Sequence, residues 1–179
     1  MIYTVECHYT DPASENEWND FYSRDKLPAL IAVPGFLTSQ RFKALSANTP
    51  RYLALHTIEA AGVLDGEAYR RNGGGNFAKW QPHIADWYRN LYRSAGPAPA
   101  IGEQARLALS TQGPAPLIAR GLAVLALEAV GLAYAPAQRW LAVVDRDADI
   151  AALTQAVIPL YAPMTAQLTG AGTGNRCDA

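Results

Sequence analysis

The sequence predicts an α+β protein: a ferredoxin-like unit followed by a second, reduced ferredoxin-like unit in the same chain, the two closing a barrel. Three observations predict this. The elements of the first half read β-α-β-β-α, most of a ferredoxin-like unit. A sheet with helices on one face leaves the other face to be covered by something else. The second half offers strands and a final helix, but no counterpart to the first long helix.

Taken in order, Ile2 to Thr10 is rich in Tyr, Val and Thr and reads as a strand, ended by Asp11-Pro12. A helix follows from Ser14 to Ala32. Trp18, Phe21 and Tyr22 share one face, Ser14 and Glu17 have capping-box spacing, and Pro28 marks a bend. Pro34-Gly35 turns the chain into a strand over Phe36 to Ala44. After the turn at Ser46 to Pro50 comes a strand over Arg51 to Ala60, then a short helix over Val63 to Arg71. A flexible loop at Asn72 to Asn76 leads to a longer helix over Phe77 to Arg93. On this helix His83 and Trp87 stand at i, i+4, a packing pair.

Ser94 to Gly102 is rich in Ala, Pro and Gly and reads as a linker. Beyond it, Gln104 to Thr111, Leu122 to Leu132 and Arg139 to Asp145 read as strands, although the Ala and Leu content of the second also suits a helix. Asp147 is placed to cap a helix in which Ile150, Leu153 and Val157 share a face. Pro163 to Thr169 is a closing strand. The predicted organisation is a ferredoxin-like unit over 1–93, a linker over 94–102, a reduced unit over 103–170 and a flexible tail over 171–179.

The chain has 179 residues, half of them hydrophobic and 17% charged, with net charge −1. That suits one full core and offers no basic patch for nucleic acid and no basic amphipathic helix for a membrane surface. Cys7 and Cys177 are too distant to be a disulfide framework, which fits a reducing cytoplasm. The start, Met-Ile-Tyr-Thr-Val-Glu, reads as a strand, not a signal peptide. Three histidines without His-x-x-x-His spacing, and no Cys-x-x-Cys, give no metal motif, so no metal and no cofactor are expected.

Candidate chemistry is read from strand alternation. In the third strand Leu53 and Leu55 are assigned to the helix-covered core, which sends Tyr52 and His56 toward the barrel. His56 then becomes a general base, with a buried structural histidine as the alternative. In the first strand Glu6 and His8 share a face, and Glu6 is a candidate to orient His56. Tyr22 and Lys26 lie one helical turn apart: Tyr22 could hold a substrate oxygen, and Lys26 could neutralise an anion or pair with Asp20 or Asp25 at the surface. Arg41 is a second candidate anion clamp. Gly170 to Gly174 only superficially resembles a phosphate loop, since no helix can follow it.

The run Trp18-x-x-x-Tyr22-x-x-x-Lys26-Leu27-Pro28-x-x-x-x-Val33-Pro34-Gly35-Phe36 resembles the EthD-like branch of the dimeric α+β barrel superfamily. The resemblance continues through Arg51 to Glu59, Glu67 to Arg70 and Trp87 to Tyr92, over roughly the first half of the chain. Many members carry His where this chain has Lys26, so a role of that His does not transfer. The resemblance implies small-molecule work, often on aromatic or polyketide-like compounds, by dehydratases, cyclases, isomerases and cofactor-independent oxygenases. The resulting expectation is a lyase, dehydratase or isomerase acting by proton abstraction at His56. A ligand carrier and a structural partner subunit are the alternatives, and a homodimer is left open.

Overall fold

Both faces of the first sheet are buried, and this decides where every side chain of the site goes. The computed structural model describes residues 1–46, 49–73 and 77–170. Its strands are β1 (Ile2–Tyr9), β2 (Phe36–Ala44), β3 (Tyr52–Ile58), β4 (Ile84–Ser94), β5 (Arg106–Ser110), β6 (Val124–Leu132), β7 (Gln138–Val144), β8 (Leu160–Pro163) and the short β9 (Leu168–Thr169). All pairings are antiparallel. They run β3-β1-β4-β6-β7-β5-β8-β2, and β2 pairs back onto β3, closing an eight-stranded barrel; β9 adds to β2 at Thr38 and Ser39. The fold is thus mixed α+β, with few helices and one closed antiparallel barrel.

Alternation sorts the strand residues into an inside and an outside. The barrel interior is filled by Phe42, Leu53, Leu55, Leu107, Leu127 and Leu141, among others. Outside the first half, Tyr3, Val5, Cys7, Tyr52 and Ala54 pack beneath the helical layer. That layer comprises α1 (Glu15–Phe21), a π-helical turn (Tyr22–Lys26), α2 (Leu27–Ile31) and α3 (Glu67–Asn72). Trp18 is its anchor: fully buried, stacked on Tyr9 at 4.6 Å and edge-on to Tyr52 at 4.7 Å. Outside the second half, α4 (Ala115–Ile118) and α5 (Asp147–Gln155) cover a smaller cluster around Ala142, Val144 and Leu160. No helix is long and apolar enough to cross a membrane among the described residues.

Several elements differ from expectation. Phe77 to Arg93 is not a helix. A 3-10 turn over Ala78–His83 containing Pro82 leads into β4, whose aromatic residues suit a pleated surface. The expected first helix is continuous but interrupted by the π-helical turn just before Pro28. Ser14 makes no capping hydrogen bond; its hydroxyl meets Asp11 and the Tyr9 hydroxyl instead. Leu122 to Leu132 resolves as strand, and the closing strand is β8, ahead of the predicted position. Leu153 is buried on α5, but Val157 lies beyond that helix and is 73% exposed. The predicted tail over 171–179 and Cys177 lie outside the described residues.

Candidate active site

The helix-covered face, not the barrel interior, collects the candidate residues. His56 is fully buried on this face, stacked on Tyr3 at 5.4 Å and edge-on to Phe36 at 5.5 Å. Its Nδ1 bonds the Ser39 hydroxyl at 2.8 Å, and Nε2 has no partner among the described residues. Burial pulls its pKa down to about 3, so the ring is neutral at physiological pH. The assignment of His56 to the barrel is therefore corrected. Every residue of β3 is buried, so leucines mark the interior no better than Tyr52 and Ile58 mark the helical side.

Glu6 goes the other way. It is 2% exposed in the barrel, where its carboxylate accepts from Arg139 Nη2 at 2.6 Å. In the β1–β3 register Tyr3 is opposite His56 and Glu6 opposite Leu53, so Glu6 and His56 lie on opposite faces and cannot form a base-and-orienter pair. His8 is half-buried near the end of β1, beside a bulge, apart from both. Tyr52 also faces the helices; its hydroxyl meets Glu15 and accepts from Asn19 Nδ2 at 3.0 Å.

Tyr22 and Lys26 do converge; Arg41 is not in their crevice but stands 4.1 Å from the centre of the Tyr22 ring. Tyr22 and Lys26, four residues apart on one face, are both buried against the sheet by the π-helical turn. They line a crevice with Tyr3, Tyr69, Phe77 and Trp87. Lys26 Nζ stands 5.3 Å from the Phe77 ring centre and donates to the Asn72 carbonyl at 3.3 Å. Burial lowers its pKa. The crevice is nearly filled, with about 10 Å³ of free space, so a substrate enters only if its walls part.

At the floor of this crevice Tyr3 and Tyr69 share a hydrogen bond between hydroxyls of 2.9 Å. The guanidinium of Arg89, from β4, interacts with both hydroxyls; desolvation opposes its charge, but these two groups more than offset that and raise its pKa. Burial pushes the Tyr3 hydroxyl well above the usual range, so it is a neutral donor. Sequence reasoning missed this trio. Tyr69 and Arg89 lie in stretches that carry the EthD-like resemblance but were given no role there, and Arg89 was assigned to a helix. A strand over 84–94 would have placed Arg89 beside Tyr3, since Val5 is its partner in β1.

Larger grooves lie on the outside, two of them near 500 Å³. One of about 500 Å³ runs along β4, β6 and β7, where Arg93 and Glu128 pair with each other at 3.1 Å. Another of about 490 Å³ lies between 100–103 and 163–169. Neither brings unpaired titratable groups together. Among the described residues no cluster of His, Cys, Asp and Glu could hold a metal ion.

No family model and no curated protein matches the chain. Solved structures do. An anthrone oxidase-like protein superposes with a TM-score of 0.60 over 95% of this chain and 93% of its own, at 9% identity. A protein of Fusobacterium nucleatum subsp. nucleatum named "Putative monooxygenase" superposes with a TM-score of 0.55 over 96% and 94%, at 10% identity. Such identities show the fold alone: a mixed α+β protein built on a closed antiparallel barrel. The oxidase and monooxygenase names turn the functional reading away from the expected lyase, dehydratase or isomerase, whose base was in any case assigned to the wrong face.

Proposed function

We propose that this chain is a small-molecule oxygenase that uses O₂ to oxidise an electron-rich aromatic substrate of the anthrone or phenol type in the helix-covered crevice. The observation that carries the reading is the Tyr3–Tyr69–Arg89 cluster at the floor of an aromatic crevice. Two hydroxyls and a guanidinium form a donor set suited to an oxygen that gains negative charge when the substrate loses a proton. Phe77, Trp87 and Tyr22 supply flat apolar walls for a planar ring. For an anthrone the step balances without another reductant. The methylene carbon loses both hydrogens, one oxygen atom of O₂ becomes its carbonyl oxygen, and the other leaves as water.

The finer fold reading belongs with this one. Residues 1–93 and 103–170 are two ferredoxin-like units joined by 94–102, in keeping with the EthD-like motifs. Their strand orders, β2-β3-β1-β4 and β6-β7-β5-β8 read in one direction around the barrel, support that reading because each runs second, third, first, fourth strand of its unit. The four-residue α4 stands where the first unit has its long interrupted helix.

Oxygen uptake with anthrone tests the function. The protein is expected to consume one O₂ per anthrone and release the quinone, with uptake abolished under argon. Conversion of anthrone without oxygen consumption, or no uptake above the protein-free rate, would count against the oxygenase.

A further inference from the structure

Arg41 is a buried cation with no carboxylate against it among the described residues. It is 1% exposed on β2, and its guanidinium donates only to neutral groups: the Asn19 carbonyl at 3.0 Å, the Ser23 hydroxyl at 2.8 Å and Asn19 Oδ1 at 2.9 Å. Aromatic rings cover it. The guanidinium carbon lies 4.1 Å from the centre of Tyr22, 5.1 Å from Trp18 and 5.7 Å from Tyr52. Those contacts hold α1 and the π-helical turn on the sheet, but they do not balance the charge.

Among the described residues no neighbour supplies the missing anion. Burial pushes the Cys7 thiol up to about 12 and the Tyr22 hydroxyl higher still, so both are neutral at physiological pH. Burial pulls Arg41 down to about 10, which still leaves it charged. Glu15 is occupied by Arg51 at 2.8 Å and by the Tyr52 hydroxyl. Asp20 and Asp25 are exposed, and Asp20 faces Arg24 at 3.9 Å. A charge buried without a counter-charge costs several kcal/mol. Tyr22, which lies against Arg41, is also a wall of the crevice, whose other polar groups are Lys26, Tyr3 and Tyr69, with Arg89 behind the two tyrosines.

We propose that Arg41 is a positioning residue whose charge, acting across Tyr22, makes the crevice select the ionised form of an acidic aromatic ligand, an aryloxide or enolate, over the neutral form. The inference rests on the crevice being the binding site but not on the ligand being oxidised. At about 7–8 Å, one ring thickness beyond Tyr22, a unit charge in a protein medium shifts a bound acid by on the order of one pKa unit.

The test is the ionisation of 4-nitrophenol bound to the full chain, followed by its absorbance during a pH titration. Its pKa is expected to fall on binding. Arg41→Lys is expected to keep most of the fall, and Arg41→Gln to lose about a tenfold preference for the ionised form while still binding the neutral form. An unchanged or raised pKa on the wild-type protein, an unaltered fall with Arg41→Gln, or no binding at all would overturn the proposal. Should Arg41→Gln not fold, 4-nitroanisole decides on the wild-type chain. It cannot ionise, and it must bind at least tenfold more weakly than 4-nitrophenol at a pH where the free phenol is ionised; equal binding overturns the proposal. A pKa shift without oxygen uptake leaves this inference standing and removes the oxygenase; uptake without a shift does the reverse.

Discussion

Arg139→Ala is expected to lower the stability of the protein by about 3–5 kcal/mol, the usual consequence of breaking a buried ion pair from one side. Glu6 comes from β1 and Arg139 from β7, so the pair links the two halves of the chain inside the barrel. Both side chains are nearly solvent-free, at 3% and 8% exposure. Tyr92 and Tyr161 flank them; burial pushes Tyr92 up to about 12 and raises Tyr161 as well, so both stay neutral and bring no positive charge to Glu6. Truncating Arg139 leaves the Glu6 carboxylate in an apolar barrel with no cation. The pair itself is not expected to stabilise strongly. Arg139 Nε and Nη1 have no partner among the described residues, so part of the desolvation cost stays uncompensated. The double replacement Glu6→Leu with Arg139→Met is therefore expected to recover most of the loss. Urea unfolding of the wild type, the single variant and the double variant measures this directly. A single variant within about 1 kcal/mol of wild type would show that water already reaches Glu6.

Arg89→Leu is expected to lower kcat/KM for oxygen-dependent anthrone consumption by on the order of 10²–10³, the scale for removing one donor to a developing oxyanion. Arg89 is half-buried, and the described partners of its side chain are Tyr3 and Tyr69, so the fold should tolerate its loss. Tyr69→Phe should act in the same direction with a smaller effect, because Tyr3 keeps its hydroxyl. The decrease should fall on kcat as well as kcat/KM, since the oxyanion exists only after the proton has left. Unchanged turnover by Arg89→Leu would remove the cluster from the reaction.

Much of the fold was legible in the residues, and the site was legible only in part. Strand patterning identified β1, β2, β3, β5 and β7, whereas the Ala and Leu of β6 left it open between strand and helix. The face of each residue was another matter. In β1, Glu6 and Tyr3 separate cleanly, and the structure puts them on opposite sides as alternation requires. In β3, both sides are buried, so Leu53 and His56 carry no signal about which side is the barrel. β4 was lost because Trp87, Leu91 and the charged residues between them also satisfy a helical period; Pro82 was the available clue that a helix from Phe77 could not run through. Without β4, Arg89 had no place beside Tyr3, and the cluster that now carries the function could not be assembled. Tyr22, Lys26 and Arg41 were found as candidates, the first two because i, i+4 spacing puts them on one helix face, but that this face is the buried one was set by how the helix packs on the sheet.

The position of bound anthrone in a crystal structure of the complex is the most direct measurement. Its ring is predicted between the helical layer and the sheet, against Tyr22 and Trp87, with its oxygen at the hydroxyls of Tyr3 and Tyr69 and the guanidinium of Arg89. A ring inside the barrel beside Glu6 and Arg139, or in the outer groove along β6 and β7, would contradict it.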